Sequence, residues 1–416
     1  MNHHNKKSPR VLMVGYNGAN NTGAEALLLS DIVDMRTVLG PDALITVPTL
    51  NEKNLRRYLK EEPNLRIAPI PTIYFFAMFQ LVRQHDLIAL VEGSTYMDTW
   101  GSALLWAFLS ATWCAHLMNK PCLAYAVDAG HLSAFNQQMV RRIASTTDLI
   151  ITRAQAAADR LRSYEVNASI EVTADNAFNF EINQADLGLP ERIWPEANKG
   201  IVGIAAVDFY LFPAIIRPWG RKEDCYKWPY YYSRTPERCR ASQALADGYA
   251  VLADEIIRKY DKAVALICME QLDEPLANAI LNRMKNKNQV RIFSARQYHA
   301  SQMTVLLRSL EFLITSRYHA CILSLAAQIP QIAVGHDLRL RTIYGEIGLK
   351  DEFFIKPDLN TMFPALTTGI ERLFENPLIQ KERMKKGYEE HLISAQRNRK
   401  LLREFIAEKG WRVFNG

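Results

Sequence analysis

Short apolar runs alternate with longer Ala- and Leu-rich stretches along most of the chain, and this pattern predicts alternating strands and helices. The first apolar run, residues 11–14, precedes a loop rich in Gly and Asn and then a helical stretch at 24–36. Four further strands are predicted in the first half of the chain, at 87–91, 122–127, 149–152 and 169–173. Each ends in small polar or ionisable residues, as expected where the carboxyl edge of a parallel sheet lines a binding site.

A polar stretch with two prolines, residues 183–198, separates this half from a second alternating half that starts at Gly200. The 416 residues of the chain are too many for a single hydrophobic core. We therefore expect an α/β fold with two Rossmann-like domains. The predicted divisions are an N-terminal domain at 1–183, a linker at 184–199, a C-terminal domain at 200–360 and C-terminal helices at 361–416.

The strongest chemical signal is Ser316-Arg317-Tyr318-His319-Ala320, which follows the apolar run 310–314 and precedes a helical run at 321–327. A helix that starts at a strand end offers unpaired amides to an anion. Arg317 could bind a phosphate or carboxylate with two hydrogen bonds, and His319 could transfer a proton near neutral pH. The alternative is structural: Arg317 pairs with a carboxylate and His319 caps the helix.

A second polar cluster supports the functional interpretation. Asp337 and Arg339 follow the next apolar run, 331–335. Consecutive strand ends that carry charge belong to one crevice in a parallel sheet. The opening loop at 15–23 also lies between a strand and a helix, where backbone amides can bind an anion. Its glycine spacing matches neither the dinucleotide fingerprint nor the P-loop. The alternative is that its Gly and Asn residues only form a turn.

Composition narrows the class of protein. Hydrophobic residues make up 49% and charged residues 23% of the chain, with a formal charge of +6, which is ordinary for a globular protein and suits an anionic substrate. No nucleic-acid-binding signature accompanies the charge, so we expect no nucleic-acid partner. The six cysteines form no Cys-x-x-Cys pair, which favours buried, reduced thiols and a cytoplasmic location. The apolar segments 67–79 and 101–118 are predicted to be buried core, and no transmembrane segment is expected.

Several of these pieces occur together, and in this order, in a known family. They are the opening Gly15-Tyr16-Asn17-Gly18 through Asn21-x-Gly23-x-Glu25-Ala26, the loop Gly93-Ser94-Thr95-Tyr96-Met97-Asp98, Arg153, Ala174-Asp175 and Ser316–Ala320. With them the chain resembles the polysaccharide pyruvyl transferase family over roughly residues 11–349. It departs from the family pattern at Ala24, at 91–93 and at 127–131. These departures fall in the N-terminal domain and concern the acceptor more than the donor.

The resemblance implies two Rossmann-like domains facing a cleft, as in GT-B glycosyltransferases. It implies transfer of the enolpyruvyl group of phosphoenolpyruvate onto two hydroxyls of one sugar, which gives a cyclic ketal and phosphate. Phosphoenolpyruvate is then a co-substrate, and neither a cofactor nor a metal is expected. The sugar acceptor is left open as lipid-linked or nucleotide-linked. A cytoplasmic protein, either free or peripherally associated with the inner membrane surface, fits both cases.

The resemblance also distributes roles over residues. His319 is the expected acid, and Arg317 and Arg153 are the expected ligands of the donor carboxylate and phosphate, together with the helix start at Ser316. The base is left open among Glu25, Asp98 and Glu92. The remaining residues expected to bind substrate are Asn21, Gly23, Ser94, Asp337 and Arg339.

Two other functions remain open from the sequence. One is a nucleotide-sugar glycosyltransferase of the same architecture, and the other is a sugar-binding relative without catalysis. The insert 213–240 carries six aromatic rings among arginines and lysines. Rings and cations suit a phosphorylated or lipid-linked glycan. The alternative for this insert is that its rings pack onto their own domain.

Overall fold

The structure is a computed structural model that describes residues 8–99, 101–211, 214–222, 225–232, 234–335 and 337–414. The chain forms two compact units. Within the described ranges, the first unit contains residues 8–19, 24–181 and 390–414, and the second contains 20–23 and 182–389. The four residues 20–23 therefore group with the second unit, although the sequence alone assigned them to the N-terminal domain.

The first unit is built on a parallel sheet in the order β3-β2-β1-β4-β5-β6-β7. Its strands are β1 (Val11–Val14), β2 (Ile45–Thr49), β3 (Leu65–Pro69), β4 (Leu87–Leu90), β5 (Cys122–Val127), β6 (Leu149–Thr152) and β7 (Ile170–Val172). Its helices are α1 (Thr22–Leu39), whose first two residues group with the second unit, α2 (Glu52–Tyr58), α3 (Phe75–Gln84), α4 (Ser102–Leu117), α5 (Ala134–Ala144) and α6 (Gln155–Ser163).

The central strand shows why the apolar runs are continuous and do not alternate with polar residues. Val11 and Met13 of β1 belong to one hydrophobic cluster, and Leu12 and Val14 belong to another. Successive side chains of a strand point to opposite faces. Helices cover both faces of this parallel sheet, so every residue of β1 is buried.

The second unit repeats this plan with a parallel sheet in the order β13-β12-β8-β14-β15-β16. Its strands are β8 (Ile201–Ala205), β9 (Ala214–Ile216), β10 (Cys225–Lys227), β11 (Tyr230–Tyr232), β12 (Ala263–Cys268), β13 (Val290–Ser294), β14 (Phe312–Thr315), β15 (Gln331–Val334) and β16 (Phe354–Ile355). The helices that follow α6 are α7 (Leu189–Ile193), α8 (Pro236–Tyr260), α9 (Glu274–Arg283), α10 (Ala300–Arg308), α11 (Tyr318–Leu325), α12 (Leu338–Glu346), α13 (Lys350–Phe353), α14 (Met362–Glu375) and α15 (Lys381–Glu408).

Strand order reverses between β1 and β4 in the first sheet and between β8 and β14 in the second. These are the switch points at which ligands bind in open α/β sheets. The predicted α/β class with two Rossmann-like domains is confirmed.

The segments predicted as linker and insert are both structured. Residues 184–199 carry α7, and Ser301 ties them to the second unit, accepting from the Asn183 amide (2.8 Å) and donating to Asp186 (2.6 Å). The insert contains an antiparallel sheet in the order β10-β11-β9. Tyr231 and Tyr232 are buried there, whereas Trp219 and Trp228 are exposed. Residues 213, 223–224 and 233 of the insert lie outside the described residues.

The end of α15 belongs to the first unit through apolar and polar contacts. Leu402 and Phe405 join the cluster that includes Val11. Arg399 Nε donates to Asp34 Oδ1 at 2.8 Å, and Asn398 donates to the Ala174 carbonyl at 3.0 Å. Because Asp34 and Asn398 are buried with these hydrogen bonds made, they fix the position of the helix as well as stabilising it.

All six cysteines are free, and four of them, Cys114, Cys122, Cys268 and Cys321, are buried. Burial raises the pKa of the Cys122 thiol to about 12. The thiol therefore stays protonated at neutral pH and behaves as a small apolar group.

The expectation that 67–79 and 101–118 are entirely buried core is wrong. In the first segment, Phe75, Phe76 and Phe79 of α3 are exposed, and in the second Trp113 and Leu117 of α4 are exposed. Both helices pack one side against the sheet, and their outward sides also carry apolar side chains. Over the described part of the chain, no helix combines the length and apolar character that crossing a bilayer requires.

Candidate active site

The candidate site of the second unit starts where β14 ends, beside the switch point. The Ser316 amide donates to the Ala205 carbonyl of β8 at 2.9 Å, and the Arg317 amide donates to Thr315 Oγ1 at 2.9 Å. These bonds fix a tight turn in which Arg317 precedes α11 with extended backbone. The eight-residue helix α11 therefore begins directly above the sheet, with its first amides and positive dipole end at the carboxyl edge.

The Arg317 guanidinium lies between two carboxylates that the sequence analysis did not identify. Its Nε donates to Asp273 Oδ2 at 3.0 Å and its Nη1 donates to Glu270 Oε2 at 3.1 Å, while Nη2 also donates to Asp273. Both acids follow β12, so the rule that located Arg317 at a strand end could have located them as well. A guanidinium has five N–H donors, and three nitrogens are engaged by these acids.

Burial and charge set the ionisation of this cluster. Burial is the main cause that raises the pKa of Asp273 to about 6, with Glu270 adding to the increase and Arg317 opposing it. Burial by itself would lower the pKa of Arg317, but Asp273 and Glu270 raise it above its usual value. Arg317 is therefore permanently charged, whereas Asp273 titrates close to neutral pH.

His319 lies in the first turn of α11, next to the segment 20–23. The Thr22 amide donates to the Met269 carbonyl at 2.8 Å, and the Gln271 amide donates to the Asn20 carbonyl at 3.1 Å. The segment thus runs along the chain that follows β12. A Cβ at Gly23 would lie 2.0 Å from His319 Nδ1, so only glycine permits this approach. Asn21 and Gly23 accordingly share the second unit with His319.

The second strand end joins the same cluster. Asp337 accepts from the Arg339 amide (2.9 Å) and from its Nη2 (2.6 Å), so these two residues pair with each other at the start of α12. The Arg339 guanidinium is also 6.0 Å from the centre of the Tyr318 ring. Because β14 and β15 are neighbours and Asp337 contributes to the raised pKa of Arg317, the two polar clusters share one edge, as predicted.

In the first unit, Arg153 follows β6 and is enclosed. Its Nε donates to Asp128 Oδ2 at 3.0 Å, and its Nη1 donates to Asp175. The side chain is 1% exposed. A Cβ at Gly93 would lie 2.3 Å from Arg153 Nη1, so the glycine lets the backbone close over the guanidinium. Arg153 was predicted to bind an anion of the substrate, and in the structure it binds the carboxylates of Asp128 and Asp175.

Glu92 and Ser94 occupy the loop after β4, at the switch point of the first sheet. Glu92 Oε1 accepts from the Ser94 amide (3.3 Å) and hydroxyl (3.1 Å), and Oε2 accepts from the Tyr16 amide (3.3 Å). Burial raises the pKa of Glu92 above its usual value, against the hydrogen bonds from Ser94 and the charge of Arg153. A carboxylate with a raised pKa is a competent base near neutral pH.

The two other candidate bases hold local structure. Glu25 is buried and accepts from Arg57 Nη2 at 2.6 Å. Asp98 Oδ2 accepts from the Ser133 amide (2.8 Å), the Ser133 hydroxyl (2.8 Å) and Asn136 Nδ2 (2.7 Å). Asp98 therefore fastens its loop to the start of α5. The structure thus places Glu25, Glu92, Ser94, Asp98 and Arg153 in the first unit, and the other predicted site residues in the second.

Similar solved structures support the fold assignment. A UDP-N-acetylglucosamine 2-epimerase has a TM-score of 0.60 at 13% identity, covering 99% of this chain and 100% of that one. The UDP-GlcNAc 2-epimerase of Neisseria meningitidis bound to UDP-GlcNAc has a TM-score of 0.58 at 11% identity, with 96% and 100% covered. An α,α-trehalose-phosphate synthase (UDP-forming) from Burkholderia vietnamiensis has 0.56 at 12%, with 98% and 97% covered. At these identities the likeness is one of fold, of the GT-B kind.

The sequence comparison identifies the family. No curated protein gives a significant match. The sequence profile of the polysaccharide pyruvyl transferases, in contrast, matches residues 21–337. This match begins at Asn21 and ends at Asp337, so it includes Gly23, the loop that follows β4, and the Arg317 cluster with His319. The chain belongs to the polysaccharide pyruvyl transferase family.

Proposed function

We propose that this protein transfers the enolpyruvyl group of phosphoenolpyruvate to two hydroxyls of one sugar, forming a cyclic pyruvate ketal and releasing phosphate. The single observation that supports this most is the arrangement at the start of α11. An acid–base group, His319, lies two residues after a fixed cation, Arg317, at a helix N-terminus beside a switch point. The family membership supplies the class of reaction, and the arrangement supplies groups suited to it.

The donor is assigned to the second unit. Phosphoenolpyruvate carries a phosphate and a carboxylate, and the first amides of α11 together with its positive dipole end favour such groups. Arg317 retains N–H donors beyond those engaged by Asp273 and Glu270. Because Asp273 has a pKa of about 6, an incoming anion would favour its protonated form. The cluster would then become more positive as the donor binds.

His319 is the proposed acid. In the first step its proton goes to C3 of the donor, the C2–C3 double bond supplies the electron pair, and C2 acquires oxocarbenium character. One sugar hydroxyl then bonds to C2 and loses its proton to the general base. The second hydroxyl bonds to C2 as the C2–O bond to phosphate breaks, and its proton leaves with phosphate or solvent. The result is a ketal carbon that carries a methyl and a carboxylate.

The acceptor and the base are assigned to the first unit. Glu92 is the preferred base among the three carboxylates, because burial raises its pKa whereas Glu25 and Asp98 are held by Arg57 and by the start of α5. The Ser94 hydroxyl donates to Glu92 and could instead donate to a sugar hydroxyl when the acceptor binds. The exposed Trp219 and Trp228 of the insert are proposed to add a stacking surface for the glycan.

The test is acceptor-dependent phosphate release from phosphoenolpyruvate, with the product mass showing one added pyruvyl ketal. Nucleotide sugars and lipid-linked oligosaccharides form the acceptor panel. His319→Asn should lower turnover by about 10²–10⁴-fold, the usual contribution of an acid–base group. Phosphoenolpyruvate binding, measured by calorimetry, should persist in this variant. His116→Asn, at an exposed histidine of α4, is the control and should retain full activity with a soluble acceptor.

A nucleotide-sugar glycosyltransferase is the second candidate, because the similar structures include a UDP-forming synthase. It predicts release of nucleotide from a nucleotide sugar without phosphoenolpyruvate. A sugar-binding relative predicts acceptor binding with release of neither product. Phosphate release that does not change in His319→Asn would remove the proposed acid.

A further inference from the structure

Three neighbouring helices of the first unit expose large apolar side chains that the proposed chemistry does not use. We call this surface the aromatic face and define it by Phe75, Phe76, Phe79, Trp113, Leu117 and Phe135. Each of these residues is between 40% and 74% exposed. Single exposed apolar residues are ordinary, but a group of this kind marks an interaction surface.

Hydrogen bonds place the three helices side by side. The Tyr74 hydroxyl, just before α3, donates to the Ala103 carbonyl at the start of α4 (2.5 Å). Near their other ends, Lys120 Nζ donates to the Val82 carbonyl at 2.8 Å. Trp106 Nε1 of α4 donates to Asn136 Oδ1 of α5 at 2.8 Å. The helices are therefore parallel neighbours, and their outward sides form one surface.

The spacing of the side chains confirms that they share the outer side of each helix. Phe75, Phe79 and Arg83 lie four residues apart on α3, and Trp113 and Leu117 lie four apart on α4, so each set forms a stripe. Aromatic side chains contribute about 150–250 Å² each when covered, so the exposed rings leave on the order of 500 Å² of apolar surface. Patches of this size on a monomer are often functional.

The charge of this surface is one-sided. Neither α3, α4 nor α5 contains an Asp or Glu, while Arg83, Arg141 and Arg142 are exposed on them. Three acids lie close by. Glu165 pairs with Arg141 at 2.6 Å, Asp86 pairs with Arg10, and Asp98 accepts hydrogen bonds from Ser133 and Asn136 at the start of α5. The four arginines named here outnumber these acids. The aromatic face is therefore apolar and basic.

We propose that the aromatic face docks peripherally on a membrane that contains anionic lipid. Phe and Trp rings bury well at the boundary between headgroups and acyl chains, and arginines at the same surface bind anionic headgroups. A second copy of this chain is a poorer occupant. A two-fold dimer would place the same basic surface against itself, and like charges would oppose it.

The direction of α3, α4 and α5 relative to the first sheet suggests the class of acceptor, an inference that rests on the proposed function. Each helix follows a parallel strand and so begins at the carboxyl edge of the first sheet. Phe75, Phe76 and Phe135 lie in the first turns of their helices, at the same edge as Glu92 and Ser94. Docking would bring this edge to the lipid surface, where a lipid-linked sugar carries its hydroxyls. The acceptor class we infer is therefore a membrane-anchored glycan.

Vesicle sedimentation of the full chain, without donor or acceptor, tests the docking independently of catalysis. Vesicles of phosphatidylcholine alone are compared with vesicles that also contain phosphatidylglycerol. We expect binding to the anionic vesicles that weakens with salt. Phe75→Ser/Phe76→Ser should lower the partition coefficient about tenfold or more, since two aromatic side chains lose their burial. Arg83→Gln should lower it about fivefold on anionic vesicles only.

Val251→Ser, at an exposed apolar residue of α8 in the second unit, is the matched control and should bind as the wild type. Thermal unfolding checks each variant, and Trp113→Ser provides an independent removal on α4. The docking is overturned if the wild type sediments with neither kind of vesicle, or if Phe75→Ser/Phe76→Ser binds as well as the wild type. It is also overturned if sedimentation shows a dimer that Phe75→Ser/Phe76→Ser dissociates while no vesicle is bound, because a second copy then covers the face. Vesicle binding by a protein that shows no pyruvyl transfer would retain the docking and remove the proposed function together with the acceptor assignment that rests on it.

Discussion

Arg153 and Arg317 each follow a strand of one of the two parallel sheets, and their surroundings are alike. Arg153 follows β6 directly, and Arg317 follows β14 after one residue. Each guanidinium contacts two carboxylates, Asp128 and Asp175 in one case and Asp273 and Glu270 in the other. In each unit a glycine also permits a close backbone approach, Gly93 to Arg153 and Gly23 to His319. From local chemistry alone the two would be assigned the same role.

They differ in accessibility and in their place in the sheet. The Arg317 side chain keeps 14% of its surface exposed, against 1% for Arg153. Arg317 follows β14, which borders the switch point, whereas β6 lies two strands away from it. At the corresponding switch point of the first sheet the chain carries Glu92 and Ser94. A charged side chain at a strand end is therefore a candidate substrate ligand where the strand borders the switch point and the side chain is accessible. Where the side chain is buried away from the switch point, the same ion pairs stabilise the fold.

The largest expected effect follows from this difference. Arg153→Met leaves Asp128 and Asp175 buried without their cation, and breaking a buried ion pair costs about 3–5 kcal/mol. Arg317→Met should lower the free energy of unfolding by less than half as much, because its cluster is more accessible and Asp273 can take up a proton near its pKa of about 6. Denaturant unfolding of both variants measures the two losses.

For phosphoenolpyruvate affinity, we expect the larger loss at Arg317 and the smaller loss at Arg153, which is the opposite of their order in stability. Arg317→Met should lose donor binding, whereas Arg153→Lys, which keeps the buried charge, should retain it. Lost donor affinity in Arg153→Lys alone would reverse the roles assigned to the two arginines. Equal losses of stability in Arg153→Met and Arg317→Met would remove the structural difference between them.

The second prediction concerns pH and the titrating member of the Arg317 cluster. Burial raises the pKa of Asp273 to about 6, whereas an unfolded aspartate titrates near 3.9. The folded state therefore binds more protons between these values, and stability falls as pH rises from about 4 to 6. Two pKa units correspond to about 3 kcal/mol. Asp273→Asn should remove this part of the pH dependence.

Unfolding curves of the wild type and Asp273→Asn across pH 4–7 measure the effect as a difference, which cancels groups such as Glu92 whose pKa is also raised by burial. The wild type should lose stability relative to the variant as pH increases. A difference that stays constant over this range would mean that Asp273 does not titrate there.

Much of the fold could be predicted because its signals are local. The apolar runs at 11–14 and 149–152 coincide with β1 and β6, since a strand covered on both faces must be apolar throughout. The outward rings of α3 could not be predicted in this way. Phe75 and Phe76 are as apolar as the buried Met78, and only the sheet on one side of the helix decides which of them is covered.

The position of a polar residue at a strand end could be predicted from the sequence, but the residues that pair with it from distant sequence could not. Ser316–Ala320 was found from its own pattern. Asp273 and Glu270, 44 and 47 residues from Arg317, pair with it only because β12 and β14 flank β8. In the same way, residues 20–23 group with the second unit through backbone bonds to Met269 and Gln271, which no local pattern indicates.

The third prediction tests the glycine beside His319. A methyl group at position 23 would lie 2.0 Å from Nδ1, so Gly23→Ala must displace the imidazole. Misplacement of a catalytic group by about 1 Å can cost roughly 10²-fold in rate, and we expect a loss of this size in phosphate release. Gly345→Ala is the control, because the nearest atom to its added methyl lies at 3.8 Å. Full activity in Gly23→Ala would show that the position of His319 does not affect the reaction and would remove its proposed role as the acid.

The smallest effect is expected at Asp98, which, like Glu25, is a carboxylate of the first unit that we assign to local structure. Asn at this position keeps one acceptor oxygen for Ser133 and Asn136 but loses the charge, so stability should fall by about 1 kcal/mol, within the range of a single hydrogen bond. Turnover should stay within about twofold, whereas loss of a general base costs about 10²–10⁴-fold. Steady-state kinetics and thermal unfolding of Asp98→Asn, run beside Glu92→Gln, distinguish the two carboxylates. A large fall in turnover at Asp98 with unchanged stability would transfer the role of base from Glu92 to Asp98, and the switch point of the first sheet would then lose its assigned chemistry.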